Sequence, residues 1–352
     1  MSFSSTLKEE IKSFYPGYFA LVMATGIIST ASRQLHYVMI ARLLFLFNNA
    51  LYFILLLIFI IRLLFFYPQV KTDLATHAKG AGFLTFVAAS CILGTGYVQV
   101  QQLFAPGIWL LMAALIAWII LVYSFLPLVI LKREKPSPEK SLNGSWLLLV
   151  VSIQSLTILG TSLAQHLSLP ANTTLFITCS AWLLGILLYI VLLTLIVYRL
   201  IYFPVTASEV SPSYWIDTGA AAITALAGAT LISAFAGTTA YEAYIPIIKL
   251  VSMLLWVAAT FWLPLLFILE VWRHYKAGFA YSPAYWSMVF PLGMYTMATL
   301  QLVSVLSVDF LHAIAQAFIF IAWAAWLIVF TAMMVNLFRV FTVPEASKGT
   351  QD

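Results

Sequence analysis

Asp217-Thr218-Gly219-Ala220-Ala221-Ala222-Ile223-Thr224-Ala225-Leu226-Ala227-Gly228-Ala229-Thr230-Leu231-Ile232-Ser233-Ala234 carries no side chain larger than leucine or isoleucine. About 20 apolar residues in a helix cross a hydrocarbon core of roughly 30 Å. A helix this light exposes backbone and hydroxyls and lets neighbouring helices approach closely. The stretch that follows, 245–275, is heavy instead, rich in leucine and aromatic residues. The light-then-heavy pair recurs along the whole chain. Light segments begin near Tyr15, Gly80, Ser145, Ser213 and Ala284, spaced by 65, 65, 68 and 71 residues. Each has a mid-segment glycine in a similar setting: Gly26, Gly94, Gly160, Gly228 and Gly293. Such a repeat implies one helical hairpin used five times.

Composition fixes the solvent. The chain is 63% hydrophobic and 8% charged, against about 25% charged in a soluble domain, so its surface faces lipid. Ten apolar spans are expected, near 15–35, 41–66, 80–100, 106–131, 145–165, 172–203, 213–236, 245–275, 284–305 and 309–341. Their length and continuous apolarity predict helices; a barrel would show short alternating segments. Residues 1–13 and 342–352 read as polar cytoplasmic tails around a membrane domain at 14–341. With the N-terminus inside, 14 Lys and Arg fall on the cytoplasmic side, and only Arg33, Arg42 and Lys249 fall outside. This bias predicts both termini in the cytoplasm and residence in the plasma (inner) membrane. It also accounts for the net charge of +5 without a nucleic-acid partner. The first span lacks a cleavage-site pattern and reads as retained. Cys91 and Cys179 read as small packing residues.

The fold class expected is an all-α polytopic membrane protein: ten transmembrane helices as five hairpins. The odd helices form a quasi-fivefold inner ring lining a pore, and the even helices form an outer ring against lipid. If the repeats superpose on their glycines, Met23, Cys91, Thr157, Ala225 and Phe290, each three residues earlier, form one layer. Phe290 is its only aromatic, and Pro291 beside it removes a backbone donor from the helix. Pore-lining candidates are therefore Met23, Gly26, Cys91, Gly94, Thr157, Gly160, Ala225, Gly228, Pro291 and Gly293; Phe290 either plugs the hole or packs between helices, as most of the chain's 26 Phe must.

Two segments carry a family likeness. Tyr15-Pro16-Gly17-Tyr18-Phe19 leads to Met23-Ala24-Thr25-Gly26, and Trp286-Ser287-Met288-Val289-Phe290-Pro291-Leu292-Gly293 lies in the ninth span. Here the chain resembles the tellurite-resistance/dicarboxylate transporter family. That family takes in tellurite-resistance proteins, malate permeases, sulfite pumps and the slow-type anion channels of guard cells. The resemblance implies a homotrimer of separate pores, each formed by the five odd helices and blocked by a phenylalanine of the ninth, here Phe290. Family inner helices are often kinked at proline; here only the first and ninth carry one, Pro16 and Pro291.

The expected function is passage of small anions: inorganic anions, with C4-dicarboxylate, sulfite and tellurite as candidates. The odd spans hold no basic residue at mid-depth, which suits weak binding and fast exit. A proton-coupled dicarboxylate or sulfite carrier is the alternative. Coupling of that kind calls for a buried carboxylate or histidine, and the candidates, Asp217, Glu270 and Asp309 among them, lie near span ends. Glu270 and Arg273 read as an anchoring i,i+3 pair. A membrane enzyme or sensor scaffold is the alternative of another class. No metal-binding His-x-x-x-His, phosphate-cradling Gly-rich loop or nucleophile elbow occurs, so no catalytic residue, cofactor or metal is expected.

Overall fold

The computed structural model describes residues 3–207 and 209–342. Its ten main helices are α1 (Phe19–Gln34), α2 (Val38–Phe65), α3 (Thr85–Gly96), α4 (Phe104–Ile130), α5 (Leu148–Ser162), α6 (Ala171–Tyr202), α7 (Ile216–Phe235), α8 (Ile245–Ala277), α9 (Trp286–Leu306) and α10 (Phe310–Thr342). Nine spans among the described residues are individually long and apolar enough to cross a membrane. The tenth, Pro16–Gln34, qualifies together with Leu7–Ser13, from which it is bent by 90°. That preceding segment, expected only as a polar tail, is a short helix, Phe3–Ser13. The expected C-terminal tail lies, beyond Thr342, outside the described residues.

The odd helices close a ring. α1 packs on α3, α3 on α5, α5 on α7, α7 on α9, and α9 back on α1. Each even helix packs on the odd helix before it and reaches the next one. Burial divides the two classes: 72–94% of the apolar windows of α3, α5, α7 and α9 is buried, against 22–28% for the even helices. Lipid-facing positions such as Leu43, Leu187, Leu254 and Ile328 account for the exposed apolar surface.

Hydrogen bonds tie each ring to the other, and several join an even helix to the odd helix after it. Tyr52 of α2 meets Ser90 of α3 at 2.8 Å. Trp182 of α6 donates to the Thr224 carbonyl of α7 at 2.9 Å. Trp256 of α8 donates to Thr299 of α9 at 2.8 Å, and Trp326 of α10 donates to Thr25 of α1 at 2.9 Å. Others join an even helix to the odd helix before it: Ser29 of α1 donates to the Ala41 carbonyl of α2 at 2.7 Å, and Gln154 of α5 to the Trp182 carbonyl of α6 at 3.1 Å. At the α4–α5 seam the buried indole N–H of Trp118 has no partner. With no water to compete, such buried polar pairs fix helix register.

Most lysines and arginines lie on the face where the odd helices begin, called here the basic face. Three arginines at the ends of even helices clamp the loops there. Arg62 pairs with Asp73 and donates to the Lys12 carbonyl. Arg199 pairs with Glu209 and donates to the Glu139 carbonyl. Arg273 bonds Glu270, as the i,i+3 spacing suggests, and also the Tyr285 hydroxyl at the start of the ninth span.

Candidate functional site: a central conduit

Each odd helix starts with a 3-10 turn, and the five turns touch in a closed ring: Pro16–Tyr18, Gly80–Leu84, Gly144–Leu147, Pro212–Trp215 and Pro283–Tyr285. Proline pre-sets the backbone of a first helical turn, and Ser or Asn before it supplies an acceptor. Asn143, Ser211 and Ser282 accept the N–H of Ser145, Ser213 and Ala284. Pro212 opens the seventh span, as Pro16 and Pro283 open the first and ninth. The repeated Ser-Pro-x-Tyr-Trp of 211–215 and 282–286 was the available signal.

Inside this ring is a vestibule of about 180 Å³ bordered by Gly17, Lys79, Thr85, Ser145, Ile216 and Ser287, among others. All five odd helices contribute their beginnings to it. Deeper in the ring lies a second cavity of about 320 Å³, again walled by all five. Its lining includes Thr30, Cys91, Thr161, Thr230, Met294 and Gln301. Neither lining contains an Asp or Glu.

Spacing along the helices shows what separates the two. On α9, Ser287 borders the vestibule, while Met294, Met297 and Gln301 border the cavity. Phe290 holds the intervening position of this 3-4-3-4 stripe, which runs along one helix face, and is 1% exposed. The same interval falls on Ala88 in α3, Val151 and Ser152 in α5, and Gly219 and Ala220 in α7, all buried. Phe290 is the one aromatic among these. Its ring lies against α7: a Cβ at Gly219 would stand 3.3 Å from it and 2.9 Å from Pro291 Cγ.

The expected layer is only partly brought together. Cys91 borders the deeper cavity, whereas Met23, Thr157 and Ala225 are buried and border neither space. The repeat glycines also face away. A Cβ on Gly26 would meet Asn48 of α2 and Ile92 of α3; on Gly94, Leu159 and Leu110; on Gly160, Thr178 of α6; on Gly228, Ser252 and Trp182; on Gly293, Ile27 and Ile28 of α1. They are points of close helix approach, at different heights in different repeats, so superposing them shifts the layer.

Cavity hydroxyls are mostly bound to their own helices. Thr30, Thr95, Ser155, Ser162 and Thr230 donate to carbonyls three or four residues back, which leaves oxygen lone pairs free. Thr161 Oγ1 is buried without a partner. Asp217, placed near the inner mouth by sequence, is 0% exposed, and both its carboxylate oxygens lack partners. It sits one position off the α7 stripe, near Tyr189 of α6 and Tyr214.

Comparison with known proteins agrees with this architecture. The model of the voltage-dependent anion channel family, SLAC1, matches residues 13–334. The chain is 26% identical over 297 residues to an uncharacterized transporter of Methanocaldococcus jannaschii, covering 82% of this chain and 83% of that protein. It is 24% identical over 346 residues to a sulfite efflux pump of Trichophyton rubrum, covering 91% and 90%. It is also 30% identical over 152 residues to an uncharacterized membrane protein of Mycobacterium tuberculosis, covering 43% and 77%. The closed ring of five helical hairpins and a family match over nearly its whole length place the chain in the SLAC1 voltage-dependent anion channel family of multi-pass membrane proteins.

Proposed function

We propose that this protein passes small anions down their gradient through the centre of its inner ring, with Phe290 as the gate and the basic face in the cytoplasm. The observation that carries the reading is the pair of cavities, each walled by all five odd helices and divided by one layer with a single aromatic ring. Anion preference follows from the direction of the helices. All five point their N-terminal ends at the vestibule, each equivalent to about half a positive charge, and Lys79 at its edge adds positive charge that Asp73, 3.8 Å away, partly offsets. Acids are absent from both linings, and the deeper cavity has room for water beside a small solute.

Sulfite is a candidate by way of the fungal relatives; chloride, nitrate, tellurite and C4-dicarboxylates are the others. The homotrimer implied by family likeness belongs to the same proposal, and the mass of the detergent-solubilised protein tests it. Transport itself is tested in proteoliposomes by flux of chloride, nitrate, sulfite and malate, with and without an imposed pH gradient. Downhill flux indifferent to that gradient is expected.

Asp217 favours a second reading. A fully buried carboxylate without partners is the group a proton-coupled carrier needs. Uphill accumulation driven by a pH gradient, abolished by Asp217→Asn, would replace the channel by this carrier.

A further inference from the structure

Of the three basic residues on the face opposite the basic one, Arg33 lies in the last turn of α1. It continues the α1 stripe of Ile27 and Thr30 that borders the deeper cavity. Beyond that cavity is a further space of about 370 Å³, lined by Thr30, Arg33, Gln34, Val98, Gln99 and Gln102. Thr30 and Gln99 border both spaces, so the second is the continuation of the first toward the surface. The Arg33 side chain is half-buried and has no ion-pair or hydrogen-bond partner among the described residues. Glu242 and Asp309, acids of the same face, border neither space.

The local backbone supplies the remaining groups. After Gly96 the third inner helix widens into a π turn, Tyr97–Gln101, and ends with Gln102 at φ 59°. This places Gln99 and Gln102 at the mouth. Gln34 donates to Gln301, and Gln301 to Ser233, which ties α1, α9 and α7 together there. The electrostatic need is specific to this end. The odd helices finish here, and each C-terminal end presents about half a negative charge. An anion leaving the cavity would be repelled unless a cation stood at the exit.

We propose that Arg33, with the carboxamide N–H groups of Gln99 and Gln102, forms an anion-binding collar at this mouth. The ligand class is a small oxyanion, because a guanidinium offers paired donors that match two oxygens of one group. Arg33 then sets both the local anion concentration and a preference for planar oxyanions over chloride. This inference rests on the proposed anion passage, so its test uses the Phe290→Ala background, in which the path is open.

The experiment measures nitrate and chloride flux in proteoliposomes carrying Phe290→Ala alone, or with Arg33→Gln or Arg33→Lys. At low ionic strength Arg33→Gln lowers nitrate flux about fivefold, in keeping with charge focusing at a pore mouth. In about 1 M inert salt, where the Debye length is roughly 3 Å, the deficit shrinks below about twofold. Arg33→Lys keeps most of the flux but loses part of the nitrate-over-chloride preference. Equal flux with and without Arg33→Gln at low salt overturns the collar. So does a deficit that high salt leaves intact and lysine fails to repair, since that is the mark of a merely structural arginine. If Phe290→Ala itself passes no anion, the pore reading fails first, and the collar with it.

Discussion

The two spaces on either side of Phe290 are built from the same five helices and are chemically unlike. The vestibule is made of helix beginnings, with backbone N–H groups, capping side chains and Lys79. The deeper cavity is made of helix middles and ends, with hydroxyls bound to their own carbonyls, two methionines and no charge. On the proposed function, a small anion is attracted into the first and only weakly held in the second. Capture at one end and weak binding beyond it is the combination that conduction requires. Between them α3, α5 and α7 place residues no larger than valine, α1 places Met23, and α9 one phenylalanine.

The largest expected effect comes from removing that difference in bulk. Phe290→Ala joins the two spaces and raises anion flux at least about tenfold, equivalent to lowering a barrier by roughly 1.4 kcal/mol. It costs about 3 kcal/mol of stability, as large-to-small core changes do. Phe290→Leu falls between. Flux per folded molecule, normalised by size-exclusion profile, is the measurement; wild-type flux in the well-folded alanine variant would reduce Phe290 to a packing group.

Gly219→Ala tests what holds the ring. Its new Cβ would crowd Pro291 and the Phe290 ring, so the ring must move and flux changes by about threefold, the size of a coupling between touching side chains. In the Phe290→Ala background the same substitution has a smaller effect on flux, since only the contact with Pro291 remains. A full effect in both backgrounds would separate Gly219 from the gate.

Gly228→Ala sharpens the contrast between conduit and wall. A Cβ there would stand 2.1 Å from Ser252 Oγ, and overpacking of this kind costs about 2 kcal/mol. The thermal midpoint falls while flux per folded molecule stays the same. A selective loss of flux would return the repeat glycines to the pore.

Much of this architecture is legible in the residues, because lipid and backbone leave few choices. Ten apolar spans, their light and heavy alternation and the glycine repeat predict the hairpins and the closed ring within a few residues at each boundary. Phe290 stands out because it is the only aromatic of the layer that the glycines align, next to Pro291. The layer around it is less legible. An inner helix touches neighbours on both flanks, an outer helix behind and the conduit in front, so all its faces are small and apolar and no periodicity marks the pore side. The glycines therefore look like a pore feature although they mark contact with other helices. Asp217 is hidden for a related reason: sequence places it near a helix end, where charges meet water, and only packing by α6 and α8 shows it buried.

The smallest effect belongs to the loop beneath the vestibule. His77 is pushed below its ordinary 6.5, first by burial and then by Lys132 and Lys135. The unfolded chain therefore gains the proton before the folded one as pH falls through about 6.5. Stability is thus steady well above that pH and declines slightly as pH falls through it. His77→Asn flattens the decline in a thermal-melt series; an unchanged slope would clear His77 of the effect.

Side-specific labelling of the deeper cavity tests the central claim most directly. With Cys91→Ala and Cys179→Ala in place, Thr230→Cys puts one thiol in the cavity, where Thr230 is half-buried. A small anionic, membrane-impermeant thiol reagent is added from one side of the membrane at a time. With Phe290 present, the thiol reacts from the face opposite the basic one and is protected from the basic face. With Phe290→Ala it reacts from both, and reaction blocks anion flux. Equal reaction from both faces with Phe290 intact, or unchanged flux after complete reaction, would contradict a single central conduit closed by this ring.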